Sequence, residues 1–282
     1  MINTILKSNI TETTVYEREK DFFEVQRQLF SLFEEEEKRE NSILCSYSNQ
    51  VISKIASFIC SDTKNSASIG IAGETASGKS TIAYDIIDCL NQYAQAKNLA
   101  GIVTRINTDD YYYDRSQEVK KAGSFAAFAQ NYDLDSPQAL ELDLMKKHIK
   151  ELREGNEVYL PKYDMSGTAI RLDNHILAVP RPIIISEGLF NLTEKIASAF
   201  DFKIYVDIER YLQEERFFVR ANERNLGSSA GEVLRKADAG ARRFVRPSKE
   251  RADIVLSGSA NREDYKKFIG KLLNIVENIY EK

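Results

Sequence analysis

Three features of the sequence predict an α/β fold of three layers, with helices on both faces of a mainly parallel sheet. Strand-like and helix-like segments alternate from about residue 66 onward, the order expected of a parallel sheet covered on both sides. The run Pro182-Ile183-Ile184-Ile185-Ser186 is apolar without a period of two, as befits a strand buried on both faces. The glycine loop Gly73-Glu74-Thr75-Ala76-Ser77-Gly78-Lys79-Ser80 follows a strand-like run, Ser68 to Ala72, and precedes a helical run with apolar residues at 82, 86, 87 and 90. Strand, loop and helix is the setting in which G-x-x-x-x-G-K-[ST] works as a phosphate loop. The expected architecture is therefore the P-loop NTPase three-layer fold, with a lid segment and an N-terminal helical extension.

Taken in order, residues 1–62 read as that extension and residues 63–282 as the P-loop domain. In the extension, Phe22, Val25, Leu29, Leu32 and Phe33 share one helical face, and Leu44, Tyr47, Val51, Ile55 and Phe58 predict a second helix. The acidic run Glu34–Glu37 between them, followed by Lys38 and Arg39, reads as a solvated face. These helices are expected to pack on the following domain or on the second subunit of a homo-oligomer, and the sequence leaves both open. Beyond them the pattern predicts strands at 68–72, 102–107, 157–160, 182–186, 202–207 and 252–256. Helices are predicted at 79–96, 137–153, 209–225, 230–245 and 261–280.

Composition removes several function classes. The chain has 282 residues, is 43% hydrophobic and carries a net charge of −4, which argues against nucleic-acid binding. Cys45, Cys60 and Cys89 are too few and too scattered for a disulfide framework or a zinc site. His148 and His175 form no metal-ligand cluster in the sequence. No apolar stretch approaches the roughly 20 residues that span a bilayer, and no signal peptide pattern opens the chain. The expectation is a cytoplasmic protein without a membrane or nucleic-acid partner.

The motifs supply the chemistry. Gly73 and Gly78 free the backbone to turn its N–H groups inward around phosphates, and the following helix adds the partial positive charge of its N-terminus. Residues Gly73, Glu74, Thr75, Ala76, Ser77, Gly78, Lys79, Ser80 and Thr81 are thus expected to hold a nucleoside triphosphate, with Lys79 reaching its outer phosphates and the Ser80 hydroxyl ligating Mg²⁺. The second strand empties into Thr108-Asp109-Asp110-Tyr111-Tyr112-Tyr113. A carboxylate at that edge suits the base that takes a proton from an acceptor hydroxyl, and Asp109 is the candidate. The tyrosines would wall an acceptor pocket. Glu187, at the tip of the apolar strand, is a further candidate Mg²⁺ ligand with Ser80 and Asp109, because a hard cation takes oxygen ligands. Arg216, Arg220 and Arg224 repeat every four residues and so share a helical face. The glycine-containing stretch 225–231 and the basic residues Lys236, Arg242, Arg243 and Arg246 follow, so 216–246 reads as a lid that closes over phosphates. Pro247-Ser248-Lys249 is expected to turn the chain toward the nucleotide base. No N-K-x-D guanine-reading tetrapeptide is present.

Over roughly residues 66–278 this ordered set resembles the uridine kinase branch of the phosphoribulokinase and uridine kinase family. The resemblance is carried by the phosphate loop, Asp109-Asp110-Tyr111-Tyr112, Asn131-Tyr132-Asp133, Pro161-Lys162-Tyr163-Asp164, Glu187-Gly188, Tyr205-Val206-Asp207 and Pro247-Ser248-Lys249 with Ala252-Asp253. It implies transfer of the γ-phosphoryl of ATP to the 5′-hydroxyl of uridine or cytidine. Asp109, Lys79, Arg216 and Arg220 would be catalytic, and Asp133, Tyr112, Tyr163 and Thr168 would contact a nucleoside-like acceptor. Asp133 would hold the ribose hydroxyls, and Tyr163 would lie against the pyrimidine. The chain departs from the pattern at three points. Ser166-Gly167-Thr168 stands where the family's uracil-reading histidine is expected, Arg216-Phe217 replaces a pair of lid arginines, and Glu232 replaces a glutamine. The alternatives are a kinase of the same family with another acceptor, such as a sugar phosphate or a pantothenate-like alcohol, and a nucleotide-binding regulatory protein without turnover.

Overall fold

A computed structural model describes residues 15–61, 66–223 and 227–280. Its main sheet has six strands, in spatial order β1 (Leu44–Tyr47), β8 (Ile254–Ser257), β7 (Phe202–Asp207), β2 (Ala67–Gly73), β6 (Ile183–Glu187) and β3 (Val103–Asn107). All neighbours run parallel except β1, which pairs antiparallel with β8. The three-isoleucine run of β6 is buried on both sides because helices cover both faces. Ile183 and Ile185 look into a core built with α1 (Val15–Glu37), α2 (Asn49–Cys60), α3 (Lys79–Ala96) and α9 (Arg262–Tyr280). Ile184 looks the other way, into a core with α6 (Leu142–Arg153) and a separate hairpin, β4 (Val158–Tyr163) with β5 (Arg171–Ala178). This is the expected three-layer α/β arrangement.

Parallel pairing sets several carboxyl ends on one edge. Glu187 is in register with Ile71 of β2 and Asn107 of β3, while Gly73 is opposite Val206 of β7. The phosphate loop, the Asp109 turn and Glu187 therefore leave the sheet side by side, at the edge where ligands of open α/β sheets sit.

Several elements differ from the sequence expectation. Leu44 and Tyr47 belong to a strand and not to the second helix, which begins at Asn49 after the Ser48 cap. The reason is tertiary: β1 satisfies the backbone groups on one side of β8, which would otherwise be an open edge. The N-terminal segment packs on the same chain, since α1 lies against α2 and α9 and the Phe33 ring meets Tyr47 and Phe268 at 5.0 and 5.3 Å between centroids. The strand expected at 157–160 lies outside the parallel sheet and pairs with β5, whose polar sequence gave no strand signal. The helix expected over 137–153 opens with a 3₁₀ turn, Pro137–Ala139, and turns α-helical only at Leu142. Two short helices, α4 (Ser116–Ala122) and α5 (Phe125–Asn131), precede it. Across the segment expected to form a lid, 216–246, α7 (Arg210–Glu223) is followed by α8 (Ala230–Gly240) and a π-helical turn, Ala241–Val245. Arg224 lies outside the described residues. Among those described, no helix is long and apolar enough to cross a membrane.

Candidate functional site

The phosphate loop is wound as anion chemistry requires. Ala76 and Gly78 take positive φ, 60° and 94°, so the backbone forms the alternating-hand concavity in which N–H groups converge. A left-handed alanine is costly, which makes Ala76 a point of local strain. A Cβ at Gly73 would sit 2.6 Å from both the Ser77 Oγ and the Val206 carbonyl, so no other residue fits there. The Ser77 hydroxyl is buried without a hydrogen-bond partner, and such an orphaned group inside a nest of amides suits a phosphate oxygen. Lys79 and Ser80 open α3, whose N-terminus points into the loop.

Around the loop stand the other candidates. The Ser80 hydroxyl donates to Glu187 Oε2 at 2.9 Å. The other Glu187 oxygen accepts from Arg105 Nη2 at 3.0 Å. Burial lowers the pKa of the Lys79 ammonium, an effect opposed by the charges of Glu187 and Asp109 and reinforced by Arg220. Four of the sequence candidates thus share one electrostatic neighbourhood. Asp109 is held in a 3₁₀ turn, Thr108–Tyr111, capped by the Asn107 side chain. Its neighbour Asp110 is structural: Oδ1 accepts from the Tyr163 amide at 3.2 Å and pairs with Lys162 at 3.0 Å, fastening the hairpin to the sheet edge.

The surroundings of Tyr112 are aromatic and acidic. The Tyr112 and Tyr163 rings lie 5.3 Å apart and tilted. Burial raises the Tyr112 phenol well above its ordinary range, helped by Asp109, Asp135, Tyr163 and Tyr132, which gathers those residues around one ring. Asp133 is exposed and pairs with Arg243 at 3.1 Å. Thr168 is exposed, and its hydroxyl donates to Asp164 at 2.6 Å, so its polar group is spent within its own turn.

The helix that carries Arg216 and Arg220 lines the other side. A cavity of about 490 Å³ is lined by Gly78, Thr81, Arg216, Arg220, Gly258 and Tyr265 among others. Arg216 donates to the Gly258 carbonyl at 2.8 Å. The Glu74 side chain is engaged by Arg246 at 2.8 and 3.0 Å and by Gln213, which also reaches the Thr75 carbonyl, leaving only the Glu74 backbone for a ligand. Glu232 pairs with Lys236. Sequence reasoning missed Arg105, Asp135 and Gly258. A cation within a strand is a signal that could have exposed Arg105. Gly258 had none: only the fold shows that a Cβ there would overlap the Ser77 carbonyl and so displace the phosphate loop.

The residues present fit a triphosphate with a hard divalent cation. Among the described residues no cluster of three His, Cys, Asp or Glu side chains could hold a metal by itself, whereas Ser80 and Glu187 offer the few oxygens that Mg²⁺ takes beside phosphate and water.

A model of the phosphoribulokinase / uridine kinase family matches residues 68–264. A uridine kinase of Staphylococcus haemolyticus is 32% identical over 205 residues, covering 70% of this chain and 91% of the relative. A uridine kinase of Borrelia duttonii is 31% identical over 192 residues, 67% of this chain and 84% of its own length. Among solved structures, the phosphoribulokinase of Rhodobacter spheroides shares the fold with a TM-score of 0.51 at 16% identity, over 69% of this chain and 71% of that one. The chain belongs to the phosphoribulokinase/uridine kinase family and is a P-loop kinase, a phosphotransferase.

Proposed function

We propose that this family member transfers the γ-phosphoryl group of ATP to the 5′-hydroxyl of a nucleoside, uridine or cytidine. The observation that carries the reading is the Ser80–Glu187 bond at the start of the phosphate-loop helix, with Asp109 in the turn that leaves the same sheet edge and the Tyr112 and Tyr163 rings paired beside that turn. In this reading the loop amides and the Ser77 hydroxyl bind the phosphates, and the base lies in the 490 Å³ cavity under Arg216. Ser80 and Glu187, with Asp109 nearby, would hold Mg²⁺, which would supply neutralisation of phosphate charge. Lys79 and Arg220 stabilise the charge that spreads over the transferring group, Asp109 orients the acceptor hydroxyl and takes its proton, and the lid excludes water. Tyr112 and Tyr163 offer faces for a planar ring, and Asp133, with Asp135 beside it, offers carboxylates for sugar hydroxyls.

A second reading has one observation in its favour. The Thr168 hydroxyl is committed to Asp164, so the position from which relatives are expected to read uracil presents no free donor. An acceptor other than a pyrimidine nucleoside, still a small alcohol, fits that arrangement.

Release of ADP from ATP and Mg²⁺ across a panel of nucleosides, sugar phosphates and other alcohols separates the two. The first reading expects turnover with uridine or cytidine, and turnover with another alcohol alone selects the second. Asp109→Asn should retain ATP affinity while turnover falls roughly 10²–10⁴-fold; unchanged turnover would refute the base assignment.

A further inference from the structure

Arg105 has no part in the scheme above, yet it occupies one oxygen of the proposed metal carboxylate. It lies on β3, and its Nη2 donates to Glu187 Oε1 at 3.0 Å while Ser80 holds Oε2 at 2.9 Å. Its guanidinium carbon sits 4.6 Å from the centroid of the Tyr84 ring, one turn beyond Ser80 on α3. Its Nε is buried with no hydrogen-bond partner. Among the described residues, the carboxylate and the ring are the two contacts that hold this cation. Glu187 itself is buried, and a buried carboxylate is strongly disfavoured unless a counter-charge accompanies it.

We infer that Arg105 is a resident counter-ion of Glu187 that keeps free divalent cations off the site, so that metal enters with the nucleotide and not ahead of it. Three consequences follow from simple electrostatics. A divalent ion approaching Glu187 alone meets Arg105, Lys79 and Arg220, three positive charges against the carboxylates Glu187 and Asp109. A nucleotide tri- or diphosphate brings several negative charges to the loop and reverses that balance. The bond from Arg105 also fixes the carboxylate so that its other oxygen faces Ser80. Arg105 is in this account a positioning residue that sets the order of binding by acting through Glu187.

The inference rests on Glu187 as the cation ligand, and the experiment keeps the two apart. Mn²⁺ serves as probe, its free concentration read by electron paramagnetic resonance, with and without ADP. Arg105→Met should bind Mn²⁺ alone roughly tenfold or more tightly than the wild type, Arg105→Lys should stay near wild type, and ADP should narrow the difference. Equal affinity for free Mn²⁺ in wild type and Arg105→Met, while Glu187→Gln weakens Mn²⁺ binding in the presence of ADP, overturns the inference and leaves the ligand assignment standing. If Glu187→Gln leaves Mn²⁺–ADP binding unchanged, the ligand assignment itself fails and the inference with it. Should Arg105→Met lose its cooperative thermal transition, Arg105→Gln keeps a donor for the carboxylate without the charge and answers the same question.

Discussion

Asp133 and Asp135 stand two residues apart and meet different surroundings. Asp133 is exposed and answered by Arg243. Asp135 is more enclosed, with Gly240 of the lid packed against it, and burial, aided by the charge of Asp133 and opposed by Lys236, pushes its carboxyl up to about 6. A folded-state pKa above the unfolded value means that the native chain holds the proton more tightly. The stabilisation is complete below the ordinary carboxylate pKa and is lost as pH rises through about 6. We expect Asp135→Asn to raise Tm at pH 8 and to change it little at pH 4, measured by thermal scans across pH. An equal shift at both values would remove the assignment. The Asp-x-Asp spacing was visible in the sequence; which aspartate is enclosed was not, because that depends on a lid more than a hundred residues downstream.

At the scale of elements, the proposed lid is fastened to the phosphate loop through Arg246 and Glu74. Arg246 follows the π-helical turn and grips Glu74 with two nitrogens while also meeting Asp238. Arg210 and Arg242 meet the same aspartate. Gln213 of α7, just ahead of that segment, also reaches Glu74 and Thr75. Motion of α8 and the π turn is thereby coupled to the loop that would cup the phosphates. Arg246→Ala should speed amide hydrogen exchange across 230–245 and raise the KM for ATP. Because Arg246 is more than a third exposed, the coupling with Glu74 in a double-mutant cycle is expected to be only about 1 kcal/mol. Unaltered exchange in the lid would show that the clamp carries no tension. The basic residues of the lid were legible as a group, but their acidic partner sits inside the phosphate loop, where the motif suggested a ligand contact instead.

The whole molecule is held together by a core that runs from the N-terminal segment through the sheet. Val25, Leu29 and Phe33 of α1 are fully buried in the same cluster as Ile71, Ile82, Ile185 and Val206. Residues near the start of the chain therefore stabilise strands that present the loop. Phe33→Ala should cost about 3–5 kcal/mol, read as a lower urea midpoint with a single cooperative transition. A separate early transition, or no loss, would mean that α1 folds independently of the sheet. From the sequence, α1 and its apolar face were plain, as were most of the strands and helices of the P-loop domain. The strand at Leu44–Tyr47 was hidden, because four residues carry little periodicity and only the edge of β8 makes them a strand.

The sequence by itself determined the phosphate loop and its flanking strand and helix, the alternation that yields a parallel sheet, and the acidic strand ends. These are properties of neighbouring residues: backbone freedom at glycine, hydrophobic period, and the helix dipole. Only the tertiary structure decided that Arg105 would hold Glu187, that Gly258 would lie on Ser77, that Arg246 would find Glu74, and that β1 would close the sheet. Each of those contacts joins residues far apart in the chain, and such pairs are brought together by burial of a shared core, which no local pattern encodes.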